Sequence, residues 1–408
     1  MTTAVQTSPS VRNAQPRVVA WLINGHERYG VRRATIGFVD ALWELGWRAP
    51  ILSLDNGAMT DECEQRGLQV HRLNVGLPAY YSESILDRAR VFASLYAYTR
   101  RATDTVVRTL EAVRADIIHV RWPTLVHLAG RAGKRAGARA IWHMPNLVGS
   151  RDPLRINKAF YQAVCFKYGV VPLANSAYTG GTLGTWPVRP VTFHLGIDER
   201  QFDPSAVSHV TREALGIPLD AVVFGICGRV TPDKGQDRVL RAVLAMESDV
   251  PLHLVLVGRV MEEAYGQSLR NEAHRADAAD RLHILGAVEE PERYYQLTDV
   301  QINARIGPEP FGLSVIEAMM MGRPVLVHAL GGPRETVLDG VTGWHIPDVS
   351  HTTLLEGLRR AMDDRARWPQ MGVEGRRHAV ERFSSRGRAA EYTRLANGLL
   401  VSRSDAAR

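Results

Sequence analysis

The chain has 408 residues, a net charge of +7 and an apolar share ordinary for a soluble protein, enough for two or three cored domains. No apolar run reaches the ~20 residues of a membrane span, and the N-terminal MTTAVQTSPSVRNAQ lacks the apolar centre of a signal peptide. The expectation is a cytoplasmic chain with a flexible tail over residues 1–16. Cys63, Cys165 and Cys227 are scattered, odd in number and form no CxxC, which speaks against a disulfide framework or a zinc site. The basic excess suits anionic ligands, a membrane surface or nucleic acid. Its densest cluster, RAGKRAGAR (Arg131 to Arg139), carries no interleaved aromatics and no nucleic-acid motif accompanies it. It reads as a solvated helix end that leaves peripheral membrane contact open, with no nucleic-acid partner.

The predicted elements alternate from the start. RVVAWLING is a short buried strand, followed by the loop GHERYG and the helical run VRRATIGFVDALWELGW. Gly30 sits where that helix begins, as a turn glycine or as a point of close approach for a ligand phosphate. Strands follow in APILSLD, LQVHRLNV, DIIHVRW, ARAIWHMPN, VVPLANS and PVTFHLGID, separated by helices that include a long one over Ser84 to Arg114. Strand–helix alternation predicts a mostly parallel sheet, whose ligands gather beyond the strand C-termini. His143 and Asn175-Ser176 fall at such ends. The polar DERQFDPSAVS (Asp198 to Ser208) breaks the pattern and marks a domain boundary. A second series begins at AVVFGICGRV and runs through LHLVLVGR, RLHILGAV, VQINAR, PVLVHA and TGWHIPD. The last helix is expected over about Ser384 to Leu399, ahead of a polar tail. The reading divides the chain into an N-terminal domain over 17–200, a C-terminal domain over 201–380 and a helix over 381–400.

Two stretches of the second half carry chemistry. In GRVTPDKGQ, Arg229 and Lys234 occupy the loop after a strand, turned by Pro232 and Gly235. A forked guanidinium and a point-charge ammonium suit a diphosphate. In PEPFGLSVIEAMMMG, Pro310 holds Glu309 out of helical geometry and a Gly-Arg-Pro stop follows the helical run. Gly312 therefore marks a helix start, where unpaired N–H groups and the positive dipole end attract anions. Glu317 lies about two turns beyond Glu309. Two carboxylates flanking an anion site suit a ligand with a central diphosphate and hydroxyl-rich ends, such as a nucleotide sugar; two caps on a buried amphipathic helix is the plainer alternative. The chain lacks both GxxxxGK[ST] and a first-domain GxGxxG.

With GRVTPDKG, LHILGAV, EPFGLSVIEAMMMGRPVLVHALGGPRETVLDGVTGW and, more loosely, YGVRRATIGFVDALWELGW in place, the chain resembles the retaining glycosyltransferases of family four. The resemblance spans nearly all of 17–400 and is strongest in the second half. It implies an α/β GT-B fold: two Rossmann-like domains facing across a cleft, with the C-terminal helix crossing back to the first. It implies a nucleotide-sugar donor, UDP by default, on the second domain. Arg229 and Lys234 would hold the diphosphate and Glu309 the sugar hydroxyls. Phe311, Gly312 and Leu313 would present backbone N–H groups, Glu317 would take the ribose hydroxyls and Gly30 would approach the phosphates. His143 matches the family histidine near the reacting carbon. Tyr29 stands where many relatives have the first of two glycines, and Arg305-Ile306-Gly307-Pro308 replaces the usual Pro-Ser approach to Glu309.

The resemblance further implies hexosyl transfer with retained anomeric configuration, no metal and no cofactor. Its acceptor would be a small molecule or glycan, chosen by first-domain loops such as Tyr80 to Ser84, Ser150 to Asn157 and GHERY. A hydrolase, epimerase or phosphorylase on the same fold is the nearest alternative, and a catalytically silent sugar-nucleotide-binding protein the next. Oligomeric state has no signature in the sequence.

Overall fold

The first central strand, VAWLI, is apolar throughout and buried throughout, as a strand covered on both faces must be. It begins a series of β1 (Val19–Ile23), α1 (Tyr29–Glu44), β2 (Ile51–Ser53), α2 (Ala58–Gln65), β3 (Val70–Arg72), α3 (Ile85–Val113) and β4 (Ile117–Val120). The series continues with α4 (Val126–Ala136), β5 (Arg139–Met144), α5 (Ile156–Tyr168), β6 (Val171–Ala174), α6 (Ala177–Leu183) and β7 (Val191–Thr192). These strands form one parallel sheet in the order β3-β2-β1-β4-β5-β6-β7. The computed structural model describes residues 16–27, 29–78, 85–149 and 156–406.

A second sheet repeats the plan. It contains β8 (Val222–Cys227), α7 (Gln236–Ala245), β9 (Leu252–Val257), α8 (Glu263–Arg275), β10 (Leu282–Gly286), β11 (Val300–Asn303) and α9 (Leu313–Met320). Then come β12 (Val325–His328), α10 (Pro333–Thr336), β13 (Gly343–Ile346), α11 (His351–Asp363), α12 (Trp368–Phe383) and α13 (Ser385–Ala406). The strand order is β10-β9-β8-β11-β12-β13, again parallel. Both sheets are buried on both faces, giving each half two layers of apolar core.

The chain crosses between the halves at two adjacent points. Ile197 and Ser384 pair as a parallel bridge, with Ile197 N–H donating to Phe383 O at 2.9 Å and Ser385 N–H to Ile197 O at 2.8 Å. A Cβ at Gly196 would lie 2.7 Å from Ser385 Cα, so the two crossings touch backbone to backbone. Beyond this point α13 returns to the first half and packs on α1. The Tyr392 ring meets Phe38 edge-on at 5.5 Å, and Ala389 and Ala396 are fully buried.

Two local expectations change. PVTFHLGID contributes only a two-residue strand, because after Thr192 the chain leaves the sheet for the crossing. The last helix does not end near Leu399: the expected polar tail stays helical to Ala406 as the last turns of α13. PERYYQLT winds as a 3₁₀ helix over Pro291–Leu297, started by its proline. No helix among the described residues is long and apolar enough to cross a membrane. The 1–15 part of the expected tail lies outside the described residues, as do Tyr80 to Ser84, Ser150 to Arg155 and Arg28 of GHERY.

Candidate active site in the interdomain cleft

In a sheet of this order the crevice opens where the strand order reverses, between β1 and β4 and again between β8 and β11. The two crevices face each other, and between them lies a cavity of about 810 Å³. Its second-domain wall carries Arg229, Lys234, Arg305, Glu309, Phe311, Gly312, Leu313 and Glu317. Its first-domain wall includes Glu27, Gly30, Arg33, Arg121, Trp122 and Asn175.

The loop after β8 is held from behind. Gln236 is fully buried and donates Nε2–H to the Arg229 carbonyl at 2.8 Å. Gly235 adopts φ +71°, and a Cβ there would lie 2.4 Å from the Ala304 carbonyl oxygen. So fixed, Lys234 donates to Glu309 Oε2 at 2.6 Å, while Arg305 Nη1 reaches Glu309 Oε1 at 3.4 Å. Burial alone would raise the Glu309 pKa, but the charges of Lys234 and Arg305 outweigh it and the net shift is downward. Glu309 is therefore an anion locked between two cations. Arg229 is exposed and faces the cavity.

The backbone of this wall is pressed against the chain after β12. Glu309 N–H donates to Leu330 O at 3.0 Å and Gly332 N–H to Glu309 O at 2.8 Å. A Cβ at Gly331, where φ is +98°, would lie 2.2 Å from the Glu309 carbonyl oxygen, and one at Gly332 would lie 2.5 Å from Phe311 Cα. The Gly-Gly pair is thus required by the approach of the Glu309–Phe311 loop. Phe311 buries its ring against His194 at 5.8 Å and lines the cavity beside Gly312. Gly312 caps α9 at φ +89°, and no acceptor among the described residues meets the N–H groups of Gly312 and Leu313. A helix start with free N–H groups and two nearby cations is an anion site.

The structure brings together every residue singled out in the second domain, together with Gly30. A Cβ at Gly30 would lie 3.1 Å from Leu313 Cδ1, so this position narrows the cleft between the domains. Glu317 is already engaged: Arg33 of α1 donates to Oε1 at 3.0 Å and the buried Tyr295 hydroxyl to Oε2 at 2.7 Å. A ribose reaching this carboxylate must share it with Arg33 or displace it.

His143 is the correction. Strand alternation points Trp142 and Met144 to one face of the first sheet and Ile141 and His143 to the other, beneath α1 and α13. His143 is 3% exposed, donates Nε2–H to Phe193 O at 3.2 Å, and packs on His119. Burial, then the charge of Arg121, pulls its pKa down to about 3. It is a neutral core histidine and lies outside the cavity lining.

Other site residues had weaker sequence signals. Arg305 follows β11 just as Arg229 follows β8, and that parallel was the available clue. Glu335 lies inside GGPRET; its carboxylate accepts from the N–H groups of Ala177 and Tyr178 at 2.8 and 2.9 Å, capping α6 from across the cleft. Ser176 and Thr179 of the same helix start donate to Pro310 O at 2.7 and 3.2 Å. Arg33, Tyr295 and Arg121 had no motif around them. Among the described residues no group of three or more His, Cys, Asp or Glu is arranged to hold a metal ion.

Comparison with known proteins follows this geometry. Residues 208–378 match the model for glycosyl transferases group 1, and residues 29–178 match a glycosyl transferase 4-like domain. The chain belongs to the family-four glycosyltransferases. A D-inositol 3-phosphate glycosyltransferase of Kineococcus radiotolerans is 30% identical over 213 residues, 48% of this chain and 49% of its own length. A GDP-mannose-dependent alpha-(1-6)-phosphatidylinositol monomannoside mannosyltransferase of Mycolicibacterium smegmatis is 29% identical over 214 residues, 50% and 55% of the two chains. The chain spans about half the length of the curated relatives it matches. Among solved structures, Anabaena HepE in complex with UDP superposes with a TM-score of 0.76 at 18% identity, over 94% of this chain and 100% of the other. That likeness establishes the GT-B fold.

Proposed function

We propose that the chain is a retaining, metal-independent glycosyltransferase moving a hexose-type sugar from a nucleotide-sugar donor to a hydroxyl of a small-molecule or glycan acceptor. One observation carries this reading. Lys234, Arg229 and the free N–H groups at the start of α9 converge on one cavity beside the ionised Glu309. In glycosyl transfer the sugar becomes oxocarbenium-like while the leaving diphosphate gains negative charge. The two cations and the helix start stabilise that charge as it develops, the role a metal fills elsewhere.

Glu309, held by Lys234 and Arg305, orients the sugar hydroxyls and balances charge rather than attacking the anomeric carbon. The acceptor hydroxyl then attacks from the leaving-group face and passes its proton to the departing phosphate. Gly30 and Leu313 narrow the cleft and help keep water from the donor. The UDP complex of the Anabaena neighbour supports a UDP-sugar, and the GDP-mannose-dependent relative makes GDP the first competitor. Three buried free cysteines support a reducing, cytoplasmic setting.

The test is thermal stability with UDP, GDP, ADP and dTDP, on the native chain and on Arg229→Ala. One nucleotide at 100 times its dissociation constant should add about 2.7 kcal/mol, and the gain should shrink in the variant. Chelator should leave turnover unchanged, and the product should keep the donor's anomeric configuration by NMR. No nucleotide response, or an inverted product, would refute the corresponding part of the reading.

A further inference from the structure

The first-domain wall of the cavity carries polar atoms that the fold leaves unpaired. Arg121 follows β4 at the switch point and is only 6% exposed. Its Nη1 donates to Thr35 Oγ1 at 2.6 Å and reaches the Val31 carbonyl at 3.4 Å, both on α1. Its Nε and Nη2 have no hydrogen-bond partner among the described residues, although the side chain lines the cavity. Burial draws its pKa down to about 10 against the opposing charge of Glu27, so the guanidinium stays charged at neutral pH.

Its neighbours do not use the remaining donors. Glu27 accepts from the backbone N–H groups of Asn24 and Gly25 and from the Trp122 indole N–H. His119 and His143 are both held neutral, chiefly by burial. On the same wall Asn175 is 1% exposed, donates Nδ2–H to Pro145 O at 3.0 Å and leaves Oδ1 unpaired. Unpaired buried donors and acceptors are costly, and two side chains carrying them on one wall of the cavity call for a ligand.

We propose that Arg121 and Asn175 form an acceptor subsite, and that the acceptor is a sugar or polyol bearing an anionic phosphate or carboxylate group. This inference rests on the glycosyltransferase reading and names its acceptor class. Arg121 offers two N–H groups to the anion, and Asn175 Oδ1 accepts from a hydroxyl. The donor diphosphate meets Arg229, Lys234 and α9 on the opposite wall, so the two anions have separate partners.

The test uses the full chain saturated with UDP, with inorganic phosphate, glucose 6-phosphate, glucuronate or glucose added, and reads thermal stabilisation. At least one anionic probe is expected to stabilise well beyond glucose. Arg121→Met should weaken that probe roughly ten- to a hundredfold, the loss of a charged hydrogen bond, and leave the UDP shift intact. Arg121→Lys, which keeps the charge and the fold but not the fork, should weaken it by a smaller factor. The larger of the glucose 6-phosphate and glucuronate shifts tells phosphate from carboxylate. The proposal is overturned if no anionic probe exceeds glucose, or if Arg121→Met weakens UDP as much as the anion. Absence of a UDP shift in the native chain would sink the donor reading separately, and the same anionic probes without UDP would still decide the subsite.

Discussion

The two walls of the cleft are built in different ways. On the second-domain wall the charges around Glu309 come from two short segments, 228–235 and 305–317, and partner one another: Lys234 and Arg305 both hold Glu309. The first-domain wall is gathered from Glu27, Arg33, Arg121 and Asn175 on separate elements, and it leaves Arg121 and Asn175 with unpaired atoms. A wall whose charged groups already hold one another, as Lys234 and Arg305 hold Glu309, can be preorganised before any ligand arrives. A wall assembled from distant segments can be changed one residue at a time, which suits the acceptor-selecting role proposed for this side.

The sharpest way to break this comparison is at Lys234. Lys234→Ala removes a cation aimed at the developing diphosphate charge, and kcat should fall by about 10²-fold or more, measured as nucleotide release from the donor. Next is the backbone. Gly331→Ala forces a side chain at φ +98° toward the Glu309 carbonyl and should cost about 1–3 kcal/mol, seen as a lower melting temperature. Unchanged stability would mean that the loop is not pinned there.

His143 tests the other wall. Its folded pKa of about 3 lies below the ordinary 6.5, so above pH 6.5 both folded and unfolded chains carry it neutral. As pH falls from about 6.5 towards 3, only the unfolded chain takes the proton, and stability drops by up to about 1.4 kcal/mol per pH unit. A His143→Leu variant should flatten that stretch of the stability–pH curve. Its kcat should change less than that of Lys234→Ala, and a loss as large as that one would return His143 to the cleft chemistry. The smallest effect is expected at the link between the walls. Ser176→Ala removes one of two hydroxyl donors to Pro310 O and should cost about 1 kcal/mol of stability.

Much of the fold was legible because period-2 and period-3.6 apolar patterns are local properties of the chain. Each of the strands was readable in the sequence, and the doubled βα alternation pointed to two parallel sheets. The second-domain wall was legible for the same reason: Glu309, Gly312 and Glu317 lie on one turn and one short helix. Strand ends were less so. His143 occupies the next-to-last position of β5, and a shift of one residue decides whether a side chain faces the cleft or the core. Arg33 and Arg121 were illegible because their meaning comes from partners far along the chain, 284 residues away for Arg33–Glu317 and 86 for Arg121–Thr35; Tyr295 was illegible because no motif marks the stretch that carries it.

The central claim is that the second-domain wall holds a donor diphosphate at the start of α9. A crystal structure of the chain with UDP tests this most directly. The account predicts diphosphate oxygens about 3 Å from the N–H groups of Gly312 or Leu313 and from the side chains of Arg229 and Lys234, with the ribose at Glu317. A nucleotide bound elsewhere in the molecule, with these N–H groups still unpaired, would contradict it.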